Sequence, residues 1–397
     1  MDNNRNIFKI IILIIGLLVG IISAFAESQD TVKQIQPVQF SFIYPLSTNG
    51  IRSREYVNHF SINLLGGITR GTSGFEAGGL FNVDLGYVRG AQFAGIGNYV
   101  KGSFSGGQFG GLLNINEQNT EGAQFGGLVN LNIGTTRGAL FAGITNIMIR
   151  KTSGAQFAGI SNIVINDTKS THIAGINNLV IGNSRGFQLA GIANLSIQDH
   201  HGTQIAGILN YTRRLNGFQL GLLNISDTVD KGVPLGFISF VRHGYFAVEF
   251  EFNELFYTNV NLKTGVPHLY DIISIGYRPD NQQQNWGLTY GLGTYKSFNE
   301  KLSLNFDATA THINEGESWT KTLNMVNRLK LNLGFQVANN IELFGGASLN
   351  IAISKITNDE GIITGSSLVP SYTFYNETFR KTNVKMYPGF NAGIRIK

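Results

Sequence analysis

An asparagine recurs every sixteen residues along the middle of this chain, and a chain that repeats itself at so short and constant a period has few folds open to it. The positions are Asn82, Asn98, Asn114, Asn130, Asn146, Asn162, Asn178, Asn194 and Asn210. A glycine stands three residues before each: Gly79, Gly95, Gly111, Gly127, Gly143, Gly159, Gly175, Gly191 and Gly207. Full units read GAQFAGIGN at 90–98, GAQFGGLVN at 122–130, GAQFAGISN at 154–162 and GFQLAGIAN at 186–194. Glycine is abundant, 50 of 397 residues, but abundance alone does not place it at one spacing nine times in succession.

Inside a unit the pattern has period two, which is the signature of a strand. Phe157, Gly159, Ile163 and Ile165 share one face, and Gln156, Ala158, Ile160 and Asn162 the other. Turn formers such as NDTKS at 166–170 close the unit. Two all-β architectures fit. In a β-solenoid each coil makes two strands of four or five residues with a corner near Ser161–Asn162, and coils stack in parallel register. In a meander each unit is one long strand that reverses at every turn, and the array becomes part of one large barrel wall. The nine units contain no insertion or deletion. A coil stacked on its copies cannot change length without disturbing both neighbours, whereas hairpin loops are free to vary. Constant length therefore favours the solenoid. It would lay Phe on Phe, Gly on Gly and Asn on Asn, with each amide able to bond the next. The Asn and Gln ladders are then either a ligand-binding face or groups satisfied within the coil and at its surface.

The array occupies 74–240 and frays at both ends, FQLGLLN at 218–224 having dropped a residue. Strands and a cap are expected over 27–73. From 241 to 397 the repeat gives way to longer alternating segments. Eight strands are expected, at 245–253, 255–263, 270–278, 285–296, 302–312, 326–337, 340–353 and 386–396. Most reach the nine to eleven residues of a tilted membrane-spanning strand. Tight turns such as SFNEK and ANN alternate with long polar stretches at 313–325 and 355–385, as in outer-membrane β-barrels. Trp286, Tyr295, Phe298 and Tyr387 fall near segment ends, where interfacial girdles would lie. The last residue, Lys397, departs from the aromatic ending usual in bacterial barrels. An even barrel also begins and ends on one side, which would put the array on the side of the C-terminus, unless strands near Gln39–Tyr44 or Phe60–Leu64 alter the count. A soluble antiparallel sandwich or a cap on the array would alternate in the same way.

Residues 1–26 read as a secretory signal: Arg5 and Lys9, an apolar stretch from Ile10 to Ile22, then Ala24-Phe25-Ala26. The mature chain is thus expected outside the cytoplasm, at the outer membrane or cell surface of a Gram-negative bacterium. With no cysteine there is no disulfide, thiolate metal site or thiol nucleophile. The formal charge of +5 is spread thinly, with no basic run, so no nucleic-acid partner is expected.

The Gly-x-Gln-x-Ala-Gly-x-x-Asn units over roughly 58–240 resemble a family of largely uncharacterised Gram-negative surface-repeat proteins. That resemblance implies a cell-envelope location and supplies no catalytic residues. Some members are lipoproteins, which this cysteine-free chain cannot be. Catalytic, metal and phosphate-loop motifs are missing from the sequence, and no cofactor is expected. Asp199, His200 and His201 form the one dense group of metal-ligand types, in what reads as an exposed turn. Glu249 and Glu251, two apart on the polar face of a strand, could do acid–base work but fit lumenal or solvated acids better. The reading is a non-enzymatic envelope protein for display, adhesion or scaffolding, anchored by its C-terminal β-domain in outer-membrane lipid, with a surface glycan or protein as a further partner. The alternative is an outer-membrane pore whose wall includes the repeats.

Overall fold

The computed structural model describes residues 34–279, 284–358 and 361–397. The leader segment expected at 1–26 lies outside them. The chain is all-β, a β-solenoid of sixteen-residue coils followed by a closed antiparallel barrel. It divides into two compact units, one up to Gly186 and one from Phe187, and each is described by itself.

From Val88 onward each coil of the first unit contributes a seven-residue strand, such as Thr120–Gly126, and a four-residue strand, such as Val129–Asn132. Strands pair in parallel with their counterparts one coil away and in perfect register: Gln108 with Gln124, Phe125 with Phe141, Asn130 with Asn146. The repeats therefore wind, and the single large meander barrel is excluded. The coil differs from expectation in detail. Its strands are seven and four residues long, and its corner falls at Gly159–Ile160 instead of Ser161–Asn162. The reason is packing around the glycine. A Cβ built on Gly127 would lie 1.9 Å from the carbonyl oxygen of Gly111, and one on Gly159 2.1 Å from that of Gly143. Only glycine allows consecutive corners to approach so closely.

Gln34–Ile43 starts the solenoid, paired in parallel with Tyr56–Thr69. The segments around Gln39–Tyr44 and Phe60–Leu64 accordingly belong to coils and add nothing to the barrel. In the second unit the shortened repeat is absorbed by a register shift: Ser196 pairs with Thr212, but Asp199 with Arg214.

The barrel strands are Tyr245–Asn253, Thr258–Val266, Leu269–Pro279, Gln284–Ser297, Leu302–Glu315, Asn324–Ala338, Ile341–Ser354 and Thr382–Ile396. Each pairs antiparallel with the next, and the last closes on the first through Glu249 opposite Arg395. An extra strand, Tyr375–Phe379, forms a hairpin with the last. The segment expected at 255–263 begins later because Leu255 and Phe256 form a turn on Asn253, whose Oδ1 accepts both their backbone N–H groups.

The connections sort by side. Residues 267–268, 298–301 and 339–340 make short turns at one end of the barrel, where the chain also enters and where Lys397 lies. At the other end 254–257 is also a short turn, while 316–323 and 355–381 are long. Outward positions are apolar and exposed, among them Phe250, Leu262, Ile275, Leu331, Leu333 and Ile394. Inward positions are buried and mostly polar, with apolar clusters at Tyr245, Ala247, Tyr270 and Ile272 and at Ile313, Val326 and Ala352.

Candidate functional site

Inside the coils the amides are fully buried. Asn114 donates through Nδ2 to Asn130 Oδ1 at 2.9 Å and to the backbone oxygen of Phe125 at 2.9 Å; Asn130 does the same toward Asn146 at 2.9 Å and Phe141 at 2.8 Å. Each asparagine thus ties its own short strand to the next coil's long strand across the corner. Gln108, Gln124 and Asn116 form a second internal ladder, with Gln124 Nε2 2.6 Å from Gln108 Oε1. The repeat asparagines Asn82, Asn98, Asn114, Asn130, Asn146, Asn162, Asn178, Asn194 and Asn210 are all at most 1 % exposed. They offer no surface to a ligand, so the ligand-face reading of the ladders is corrected: these groups bond one another.

The phenylalanines take the outside. Rings of Phe93, Phe109, Phe125, Phe141 and Phe157 stack at 4.7–4.9 Å with planes 2–4° apart. Beside them the small residues of the corner leave an open groove of about 880 Å³, running from Gly78 to Gly175 and lined by Phe, Ile, Ala and Gly. Just past each corner glycine, Leu80, Leu112, Leu128, Ile144, Ile160 and Ile176 are also exposed. Isolated exposed apolar residues are ordinary, but a continuous strip of them marks an interaction surface.

One acidic pair in the first coils was not singled out from the sequence. Glu76 and Asp84 are fully buried and share Gln92, whose Nε2 lies 2.9 Å from Glu76 Oε2 and 2.6 Å from Asp84 Oδ2. Burial, and then the neighbouring Glu76, raise the Asp84 carboxyl well above the ordinary range. The available signal was an acid at Glu76 where the next coil carries Gln92.

The three candidate metal-ligand types do not form an exposed cluster. His200 is fully buried, opposite Leu215 in the next coil, while Asp199 pairs with Arg213 at 2.8 Å. The turn expected there is instead continuous strand, Ala193–Ala206. Burial, with His201 adding to it, lowers His200 to about 4.

In the barrel, Glu249 and Glu251 are lumenal but not free. Lys263 Nζ lies 2.8 Å from Glu249 and 2.7 Å from Asp307, Arg395 Nε 2.5 Å from Glu249, and Lys330 Nζ 2.8 Å from Glu251. Arg395 also pairs with Glu342, which holds Lys397 as well. Ion-paired on all sides, neither glutamate is placed as a general acid or base. Beside Glu251 and Lys330 lies a small void of about 10 Å³, bordered by Asn253, Phe256, Asn259 and Arg328 and too small for more than a water. Toward the long connections the lumen is capped by Leu255, Phe256, Leu368, Val369 and Tyr387. Tyr387 is therefore inside and not in a girdle, and Tyr295 packs on Tyr245. Phe298 is exposed near the short-turn end, and Trp286 meets the exposed Trp319 near the other.

The terminal coil packs on the outer barrel wall near the short turns. Tyr290 Oη donates to the backbone oxygen of Gly236 at 2.7 Å, Thr264 Oγ1 to that of Ser239 at 3.1 Å, and the rings of Phe237 and Tyr290 stack at 5.1 Å. Asp271, outward-facing on the same wall, sits beneath this contact, 3.4 Å from Tyr290 Oη.

No family profile, curated protein or solved structure matches the chain.

Proposed function

We propose that this is a non-enzymatic scaffold of the Gram-negative envelope, an eight-stranded outer-membrane barrel that carries a rigid β-solenoid on its periplasmic side. The observation that carries this reading is the barrel's polarity: apolar side chains outside, balanced ion pairs within. Glu249, Glu251, Glu254, Asp307 and Glu342 face Lys263, Arg328, Lys330, Arg395 and Lys397. Such a wall is stable in hydrocarbon and would aggregate in water. The plugged lumen supports an anchor over a conduit. The connections support a periplasmic array: short turns of outer-membrane barrels face the periplasm, and the array enters at the end that carries 267–268, 298–301 and 339–340. That favours scaffolding within the envelope over display on its surface. The covered Asp271 supports the anchor: the final coil would shield from lipid a carboxylate on the outer wall.

Expression of the full chain in a Gram-negative host tests the anchor. The protein should fractionate with the outer membrane and run on an unheated gel at a position that shifts on boiling. A soluble periplasmic protein with no heat-dependent shift would refute it.

A further inference from the structure

The solenoid carries a face that the anchoring function does not use. On the outer side of the seven-residue strands, in-register columns succeed one another toward the corner. First comes a polar column containing Arg89, Glu121, Arg137, Lys169 and Arg185, all exposed. Two residues on is a column of small residues such as Ala123 and Ala139, and two further the stacked phenylalanines, about 13 Å from the basic column along an extended strand. The Leu and Ile ladder then follows the corner glycine. Four cations against one anion thus edge an aromatic and aliphatic strip that spans the coils from Leu80 to Ile176. A basic edge beside an apolar face is the arrangement of elements that lie in a membrane interface, with cations at the headgroups and apolar side chains among the acyl chains.

The second unit carries the same exposed corner position, and there it meets an apolar surface. Ile192, Ile208 and Leu222 repeat the exposed corner position, and in the terminal coil Phe237 stacks on Tyr290 of the barrel's apolar outer wall. Within this unit the apolar corner edge and the barrel's outer wall are continuous at this contact.

We propose that the solenoid lays its phenylalanine strip and basic column against an anionic lipid leaflet. This rests on the outer-membrane reading given above, and the bilayer is the occupant because a single acyl chain would leave the basic column without a partner.

The absence of cysteine makes the test direct. Single cysteines are placed in the full-length chain at Leu128→Cys on the strip, Gln118→Cys in an exposed turn of the coil, and Leu331→Cys on the barrel wall, and each is labelled with a small fluorophore. The protein is folded into vesicles of phosphatidylethanolamine and phosphatidylglycerol with brominated acyl chains, which quench only labels within the hydrocarbon. The label at 331 reports barrel insertion. The label at 128 should lose about half its emission while that at 118 keeps nearly all of it. Replacing Arg137 and Lys169 by serine, or omitting the anionic lipid, should reduce quenching at 128 and leave 331 unchanged. Quenching at 331 with 128 no more quenched than 118 overturns the lipid-contact inference and leaves the anchor standing. Quenching of 128 by free brominated fatty acid but not by vesicles also overturns it, in favour of an acyl-chain groove. No quenching at 331 removes the anchor and this inference together.

Discussion

Replacing Asn130 by alanine isolates what the repeat asparagine does. Its side chain donates to Asn146 Oδ1 and the Phe141 carbonyl and accepts from Asn114 Nδ2, all within a buried interior. Truncation leaves these three groups each short of a partner. At roughly 1–1.5 kcal/mol for each buried group so orphaned, the loss is about 3–5 kcal/mol, local to the coils on either side. Asn130→Asp is the sharper variant, because it keeps the shape. At pH 8 its carboxylate can still accept from Asn114 but faces two acceptors, so it should be as damaging as alanine. Near pH 4, once protonated, it regains one donor and should recover part of the loss. Native-state hydrogen exchange in the strands around 120–148 measures the local opening free energy. An alanine variant within about 1 kcal/mol of the parent, or an aspartate variant indifferent to pH, would refute the ladder as the source of coil stability.

The corner glycine and the small-residue column give a paired test. Gly127→Ala forces a Cβ to 1.9 Å from a backbone oxygen and should destabilise by about 2 kcal/mol or more, while Gly107→Ala meets nothing closer than 3.3 Å and should be near neutral in the same exchange measurement. His200, held at about 4 where an ordinary histidine titrates near 6.5, is buried neutral; stability is full above pH 6.5 and falls by about 3 kcal/mol as the pH drops to 4. His200→Thr, the residue at Thr136 and Thr152 of earlier coils, should remove that part of the acid dependence of unfolding. Asp84 behaves oppositely. Its raised folded value means that stability present below the ordinary carboxylate range is lost as the pH rises through the folded value, so Asp84→Asn should raise the denaturation midpoint at pH 8 and not at pH 3.

The winding of the array was legible because a stacked coil forbids length changes, and the sequence shows none between Asn82 and Asn210. Register followed at once, Phe on Phe and Asn on Asn. What hydropathy could not reveal was the orientation of the coil, since elsewhere phenylalanine goes in and amides go out. Here parallel stacking satisfies each amide with its copy, which removes the usual cost of burying Asn114 or Gln108, and the rings recover contact by stacking on one another outside. The strict alternation read through Ile160 also broke, because the corner at Gly159 restarts the period. In the barrel, strand number and most boundaries were plain from alternation. Leu255, Phe256 and Tyr387 were misplaced for one common reason: they close the lumen as an apolar cap, a tertiary demand that local periodicity does not carry. The lumenal ion pairs join residues as far apart in sequence as Glu249 and Arg395, beyond the reach of any spacing rule.

Sidedness is the part of this account on which the scaffold reading depends, and impermeant-thiol labelling of whole cells addresses it without purification. Gln118→Cys reports the array and Phe374→Cys, 64 % exposed in the long 355–381 connection, reports the opposite end of the barrel. With a membrane-impermeant maleimide, position 374 should be labelled in intact cells and position 118 only after the outer membrane is permeabilised. Labelling of 118 in intact cells with 374 protected would place the array on the cell surface and contradict the account.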